Sequence, residues 1–90
     1  RLAFRVVREA LRNVVKHAAA TSLSVRVGQH EAMLLLEVAD DGVGFDPQGE
    51  GPDGHLGLRL IQDTVVDSGG TLTIDSAPGK GTVVRGSLPL

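Results

Sequence analysis

The 90-residue chain has no cysteine, tryptophan or tyrosine, and its only aromatic residues are Phe4 and Phe45. Without cysteine there are no disulfides and no thiolate metal site, a composition that suits a reducing compartment. Two phenylalanines make no base-stacking platform, and a formal net charge of -2 gives no basic field, so nucleic acid is not an expected partner. No apolar run approaches the roughly 20 residues that span a bilayer, and no signal peptide is visible. The 41% hydrophobic and 22% charged content is ordinary for a globular protein. That length suits one small domain over 1–90 with a single core. The chain opens at Arg1, without Met, inside a helical pattern, and reads as a fragment of a longer protein.

Hydrophobic periodicity gives an element order. Residues 2–20 read as a helix with Phe4, Val7, Leu11, Val14, Val15 and Ala18 on the inward side and Arg5, Glu9, Arg12, Asn13, Lys16 and His17 on the other. Leu23, Val25 and Val27 alternate with Ser24 and Arg26 as in a half-buried strand, and Gly28–Glu31 reads as a hairpin turn. Residues 32–39 are continuously apolar, as in a central strand. From Asp40 to His55 the chain turns to glycine, proline and acidic residues and reads as a long loop, a length more often functional than incidental. A second helix is expected from about Leu56 to Ser68, with Leu58, either Leu60 or Ile61, and Val65 inward, ended by Gly69-Gly70. Leu72–Ile74, and Thr82–Val84 with Gly86–Leu88, alternate as two more strands, joined by a turn at Ala77–Gly81. The expected fold class is α+β, a two-layer α/β sandwich with helices on one face of a mostly antiparallel sheet.

Three segments carry candidate chemistry. On the first helix Glu9 and Asn13 lie one turn apart, with Lys16 and His17 beside them. An Asn amide oxygen suits direct contact with Mg²⁺, a hard ion that keeps several waters and draws on phosphates. A nearby Glu suits orienting a water or accepting a proton, and Lys16 and His17 suit phosphate. The same residues also fit an ordinary solvated helix face. Asp40-Asp41-Gly42-Val43-Gly44 closes the apolar strand. Its glycines permit close backbone approach to a ligand, and Asp40 can accept from an exocyclic amine such as adenine N6. A simple strand-ending turn has the same composition, whereas the ligand alternation of a calcium loop is absent. Gly54-His55-Leu56-Gly57-Leu58 lies where the loop becomes a helix, whose free N–H groups can meet an anion. Gly79-Lys80-Gly81-Thr82 is not a P-loop, since no glycine sits five residues earlier and a strand follows. No Gly-x-Gly-x-x-Gly opens a helix after a strand.

Taken in order, these segments resemble the boxes of the ATP-binding catalytic domain of two-component sensor histidine kinases, in the superfamily shared with gyrase, the heat-shock ninety chaperone and MutL. Arg8–Ala18 resembles the N box, Asp40–Phe45 the G1 box, Gly54–Leu58 the G2 box, and Gly81-Thr82 with Leu88-Pro89 the closing strand. The Val-Lys-His-Ala ending of the N box is most similar to kinases whose response regulators carry helix-turn-helix outputs. The resemblance implies the Bergerat sandwich with an ATP lid near 45–56. It implies Asn13 as Mg²⁺ ligand, Glu9 as the residue orienting a metal-bound water or acting as base, and Lys16 and His17 near phosphates. Asp40 would meet adenine N6, with Gly42 and Gly44 shaping that wall. Gly54, Gly57 and Leu58 would meet the phosphates, and Thr82 would support the adenine contact. The family's usual segment before the N box is missing, and none of His17, His30 and His55 sits in its phosphoacceptor context. The implied partners are therefore a separate dimerisation domain of the same protein, carrying the acceptor histidine, and a downstream response regulator. The fragment itself is expected to be monomeric and cytoplasmic, in a parent with or without a membrane anchor. An anti-sigma-factor-type serine kinase and a non-catalytic nucleotide-sensing domain share the same boxes.

Overall fold

The computed structural model describes residues 2–15, 21–44 and 56–90. The element order is α1 (Leu2–Asn13), β1 (Leu23–His30), β2 (Met33–Asp40), α2 (Leu56–Asp67), β3 (Thr71–Ser76) and β4 (Thr82–Pro89). The strands form one sheet in the order β1-β2-β4-β3, antiparallel at every pairing. This is the two-layer α/β sandwich the pattern predicts. The expected lid at 45–56 lies outside the described residues apart from Leu56, the first residue of α2.

Strand alternation sends Leu36 and Val38 of β2, Val84 and Leu88 of β4, and Leu72 of β3 to one face, where they bury against Val6 and Ala10 of α1 and Leu58, Ile61 and Val65 of α2. Gly86 belongs to the same face; a Cβ there would stand 3.2 Å from Leu72 and 3.3 Å from Leu36. Leu2 and Ala3 share a cavity wall with Leu34, Leu88 and Pro89. Hence α1 starts over the Met33–Pro89 end of the sheet, and its C-terminal end lies toward Asp40 and Thr82.

The inward face of α1 differs from the sequence expectation. Val6, Ala10 and Asn13 are buried, Leu2, Ala3, Val7 and Leu11 flank them, and Phe4 (66% exposed) and Val15 face outward. The apolar arc of this helix is wider than one contact surface, and β2 and α2 cover only its middle. Val14 and Val15 continue α1 in the wider π geometry. In α2 the inward residue is Ile61, with Leu60 exposed. Gly69, at φ 93°, ends α2: Gly70 N donates to Val65 O and Gly69 N to Val66 O, both at 3.0 Å, the Schellman pattern.

Strand β1 runs two residues past the predicted Gly28, and the turn is Glu31-Ala32, with Glu31 at φ 55°. All of β1 is exposed, because it is an edge strand that neither helix covers. On the helix-free face Glu37 accepts from Arg85 Nε at 2.7 Å and pairs with Arg26 Nη1 at 3.7 Å, tying three strands. Leu58→Ala, at the centre of the core, should cost about 2–5 kcal/mol in urea unfolding, whereas Phe4→Ala should change stability by no more than about 0.5 kcal/mol.

Candidate functional site

The chemistry-bearing residues gather at one end of the sheet on its helix-covered side. The register places Asp40 directly opposite Thr82, and Thr82 directly opposite Ser76. Paired residues in an antiparallel sheet share a face, so the three make a polar row on the face that is apolar at Val38, Val84 and Ile74. Asp40 Oδ1 accepts from Gly42 N at 2.8 Å, which fixes the carboxylate and leaves Oδ2 without a partner among the described residues. Thr82 is buried, its Oγ1 2.8 Å from Ser76 Oγ, and Ser76 Oγ donates to Gly81 O at 2.8 Å. A serine hydroxyl carries one proton. With that proton on Gly81 O, Thr82 donates to Ser76 and retains its role as an acceptor.

The turn after β2 is held by backbone contact with the β3–β4 turn. Gly79 N donates to Val43 O at 2.6 Å. Gly44 has φ 67°, and a Cβ there would strike Ala77 O; Gly81 has φ 76°, and a Cβ there would strike Asp40 O. Both glycines are thus required twice, by left-handed backbone and by space. Gly42, expected to shape the same wall, is the donor to Asp40.

Asp41 ties this turn to the start of β1. Its carboxylate accepts from Thr21 Oγ1 at 2.7 Å and from the N–H groups of Thr21 and Ser22, both at 2.9 Å, and Asp41 N donates to Ser22 O. The Thr21 hydroxyl, followed by the Ser22 N–H, holds the Asp41 carboxyl below its ordinary value of 3.8.

A second cluster lies between the helices. Asn13 is 9% exposed, and its Nδ2 donates to Glu9 O at 3.1 Å. Among the described residues its Oδ1 has no partner, an unusual state for a buried acceptor. The Glu9 side chain is 21% exposed, lies 3.9 Å from Arg12 Nη1, and packs against Gly57 at the start of α2. The structure therefore brings Glu9, Asn13 and Gly57 together, and separately Asp40, Gly42, Gly44 and Thr82. Five residues, 16–20, separate Val15 from Thr21, which Asp41 holds. Lys16, His17 and Gly54 lie outside the described residues. Leu58 is 1% exposed in the core, so its side chain holds α2, and only its N–H, in the first turn of that helix, is placed to meet a ligand.

Sequence reasoning missed Thr21, Asp41 and Ser76. Asp41 stands beside Asp40, and only the strand register tells which carboxylate faces the helices and which caps β1. Ser76 acquires its role from the residue opposite it.

The family model for histidine kinase-, DNA gyrase B-, and HSP90-like ATPases matches residues 1–90. The chain belongs to this ATPase family. Across 99% of its length it is 42% identical to the sensor histidine kinase NarS of Mycobacterium tuberculosis, covering 21% of that protein. It is also 42% identical, over 96% of its length, to the histidine-protein kinase/phosphatase UhpB of Salmonella typhimurium, covering 16% of it. The fold matches the histidine kinase domain of the blue-light activated kinase EL346 of Erythrobacter litoralis with a TM-score of 0.73 at 27% identity, over 99% of this chain and 43% of that one. The chain thus spans about a fifth of the length of the curated relatives it matches. It is the ATPase-family domain found in sensor histidine kinases, and ATP is its nucleotide. No helix among the described residues is long and apolar enough to cross a membrane.

The Asp41 tie carries a pH dependence. A carboxyl with a lowered folded pKa contributes its stability in full above the unfolded value and loses it as pH falls through the folded one. The Tm difference between wild type and Asp41→Asn should therefore hold from neutral pH down to about pH 5 and close at lower pH, as thermal melts across that range will show.

Proposed function

We propose that this domain binds Mg²⁺-ATP and presents the γ-phosphate to a histidine on a separate dimerisation domain of the longer protein, for relay to a response regulator. The observation that carries this reading is the polar row of Asp40 and Thr82 set into the apolar, helix-covered face of the sheet. An aspartate with one oxygen held by Gly42 N has the other available for a single directional hydrogen bond. The adenine N6 amine supplies the matching donor. Thr82, with its proton on Ser76, accepts from a water that bridges to the ring. Gly44 and Gly81 let the two turns close on each other and hold Asp40 in place.

The second cluster fits a hydrated Mg²⁺. Mg²⁺ on a nucleotide keeps several waters and draws on the phosphates, so it needs few protein oxygens. Asn13 Oδ1 is a hard oxygen, buried and without a partner among the described residues. Asn13 would hold the ion and Glu9, one turn earlier, would orient a water on it or take the acceptor's proton. When bound, the ion neutralises charge on the β- and γ-phosphates, and transfer then rests on positioning more than on covalent chemistry by the protein. Lys16, His17 and Gly54 would meet the phosphates, together with Gly57 and the Leu58 N–H of the first turn of α2. The domain works in the cytoplasm, where ATP is, and is monomeric by itself. It supplies nucleotide and geometry, and the acceptor histidine comes from outside residues 1–90.

Calorimetric titration with ATP tests the two clusters separately. Asp40→Ala should weaken ATP binding about tenfold to a hundredfold, with or without Mg²⁺, as expected for losing a hydrogen bond to a charged group. Asn13→Ala should leave binding without Mg²⁺ intact and abolish the gain on adding Mg²⁺. Equal ATP affinity in wild type and Asp40→Ala would sink the adenine assignment.

A further inference from the structure

Gly57 is the second residue of α2, and its φ is not positive. Nothing in its backbone calls for glycine, and alanine is the better helix former by about 0.8–1 kcal/mol within a helix. The space around it does call for glycine. A Cβ at this position would collide with Glu9 Oε2 and stand 2.6 Å from Glu9 Cδ and 3.2 Å from Glu9 Oε1. All three of these atoms belong to one carboxylate, at the far end of a side chain from the other helix. The first turn of α2 is also the positive end of the helix dipole, which favours an anion seated there. The ion pair of Glu9 with Arg12, at 3.9 Å, is too long and too exposed to fix the carboxylate.

We infer that Gly57 is a positioning residue for Glu9: its bare Cα forms the slot that seats the Glu9 carboxylate against the first turn of α2, beside Asn13. The inference deepens the functional reading above and, for its kinetic consequences, rests on the role proposed there for Glu9. The glycine thus joins Glu9 on α1 to the start of α2, while core packing holds the two helices together. Because Glu9 is flexible, a methyl group at position 57 pushes the carboxylate away without unfolding the domain.

The test uses Gly57→Ala, Glu9→Gln, Glu9→Asp and the double variants Gly57→Ala/Glu9→Asp and Gly57→Ala/Glu9→Gln. Gly57→Ala should melt no lower than wild type. The Glu9 carboxyl resonance, read by ¹³C NMR with Glu9→Gln for assignment, should move. In the full-length kinase, histidine phosphorylation should fall about tenfold to a hundredfold in kcat, part of the about 10²–10⁴ that a positioned acid–base group contributes. Aspartate is one methylene shorter, so Gly57→Ala/Glu9→Asp should recover activity over Gly57→Ala alone, although Glu9→Asp by itself lowers activity. An unmoved Glu9 resonance in Gly57→Ala overturns the slot outright. So does a Gly57→Ala defect that persists undiminished in the Glu9→Gln background, since it would then act through something other than Glu9. Wild-type transfer by Glu9→Gln would overturn the functional role of Glu9; the NMR comparison would still decide the slot on its own.

Discussion

The site depends on one close approach of backbone to backbone. The turn after β2 and the turn before β4 meet with no side chain between them: Gly44 lies against Ala77 O, Gly81 against Asp40 O, and Gly79 N donates to Val43 O. That contact decides where Asp40 can be, because Asp40 is the last residue of β2 and its own carbonyl forms part of the seam. It also decides the state of Thr82, because Gly81 O takes the Ser76 proton and Ser76 Oγ then takes the proton of Thr82. A side chain on Gly44 or Gly81 would have to open the seam and would disturb both hydrogen-bonding positions together. The glycines serve the geometry of Asp40 and Thr82 before they serve any flexibility.

Register along β2 and β4 comes from burial. The Arg26–Glu37–Arg85 group ties three strands, but all its members are partly or largely exposed, and such pairs are worth little each. A slip of one residue would instead turn Leu36, Val38, Val84 and Leu88 out of the core. It would also take Asp40 off Thr82, so the hydrophobic alternation that stabilises the sheet is what lines up the polar row at its end.

The order of elements, the two-layer architecture and the family were legible in the sequence because each rests on local spacing. Glycine and aspartate mark turns, alternation marks strands, and the period of a helix marks helices. What was illegible depends on neighbours distant in sequence. Periodicity on α1 defines an apolar arc from Leu2 to Val15, yet only β2 and α2 decide that Val6 and Ala10 are its centre and that Phe4 is left outside. Leu60 and Ile61 are equally apolar, and only the packing of α2 on the sheet chooses Ile61. Strand β1 has the alternation of a half-buried strand but sits at the edge, beyond the reach of either helix. Ser76 and Asp41 were missed because a serine or an aspartate near a turn is unremarkable until the residue opposite it is known.

Asn13 shows how a polar residue is kept available in such a setting. It sits on the face of α1 that contains Val6 and Ala10, where a leucine would pack without penalty. A buried amide oxygen left without a partner is unfavourable by about 1–3 kcal/mol, and among the described residues Asn13 Oδ1 has none. The half of the amide that can be satisfied locally is satisfied: Nδ2 donates to Glu9 O, one turn back along the same helix. This bond fixes the rotamer, so the oxygen is held in place rather than swinging to find a donor. The carboxylate of Glu9, whose carbonyl anchors the amide, is seated by a different element, at Gly57. Two oxygens of opposite character, one neutral and one charged, are thus placed by two independent contacts on a single turn of helix. In the function proposed above, these two oxygens would serve a hydrated cation carried by the nucleotide, Asn13 as direct ligand and Glu9 as the group that orients its water.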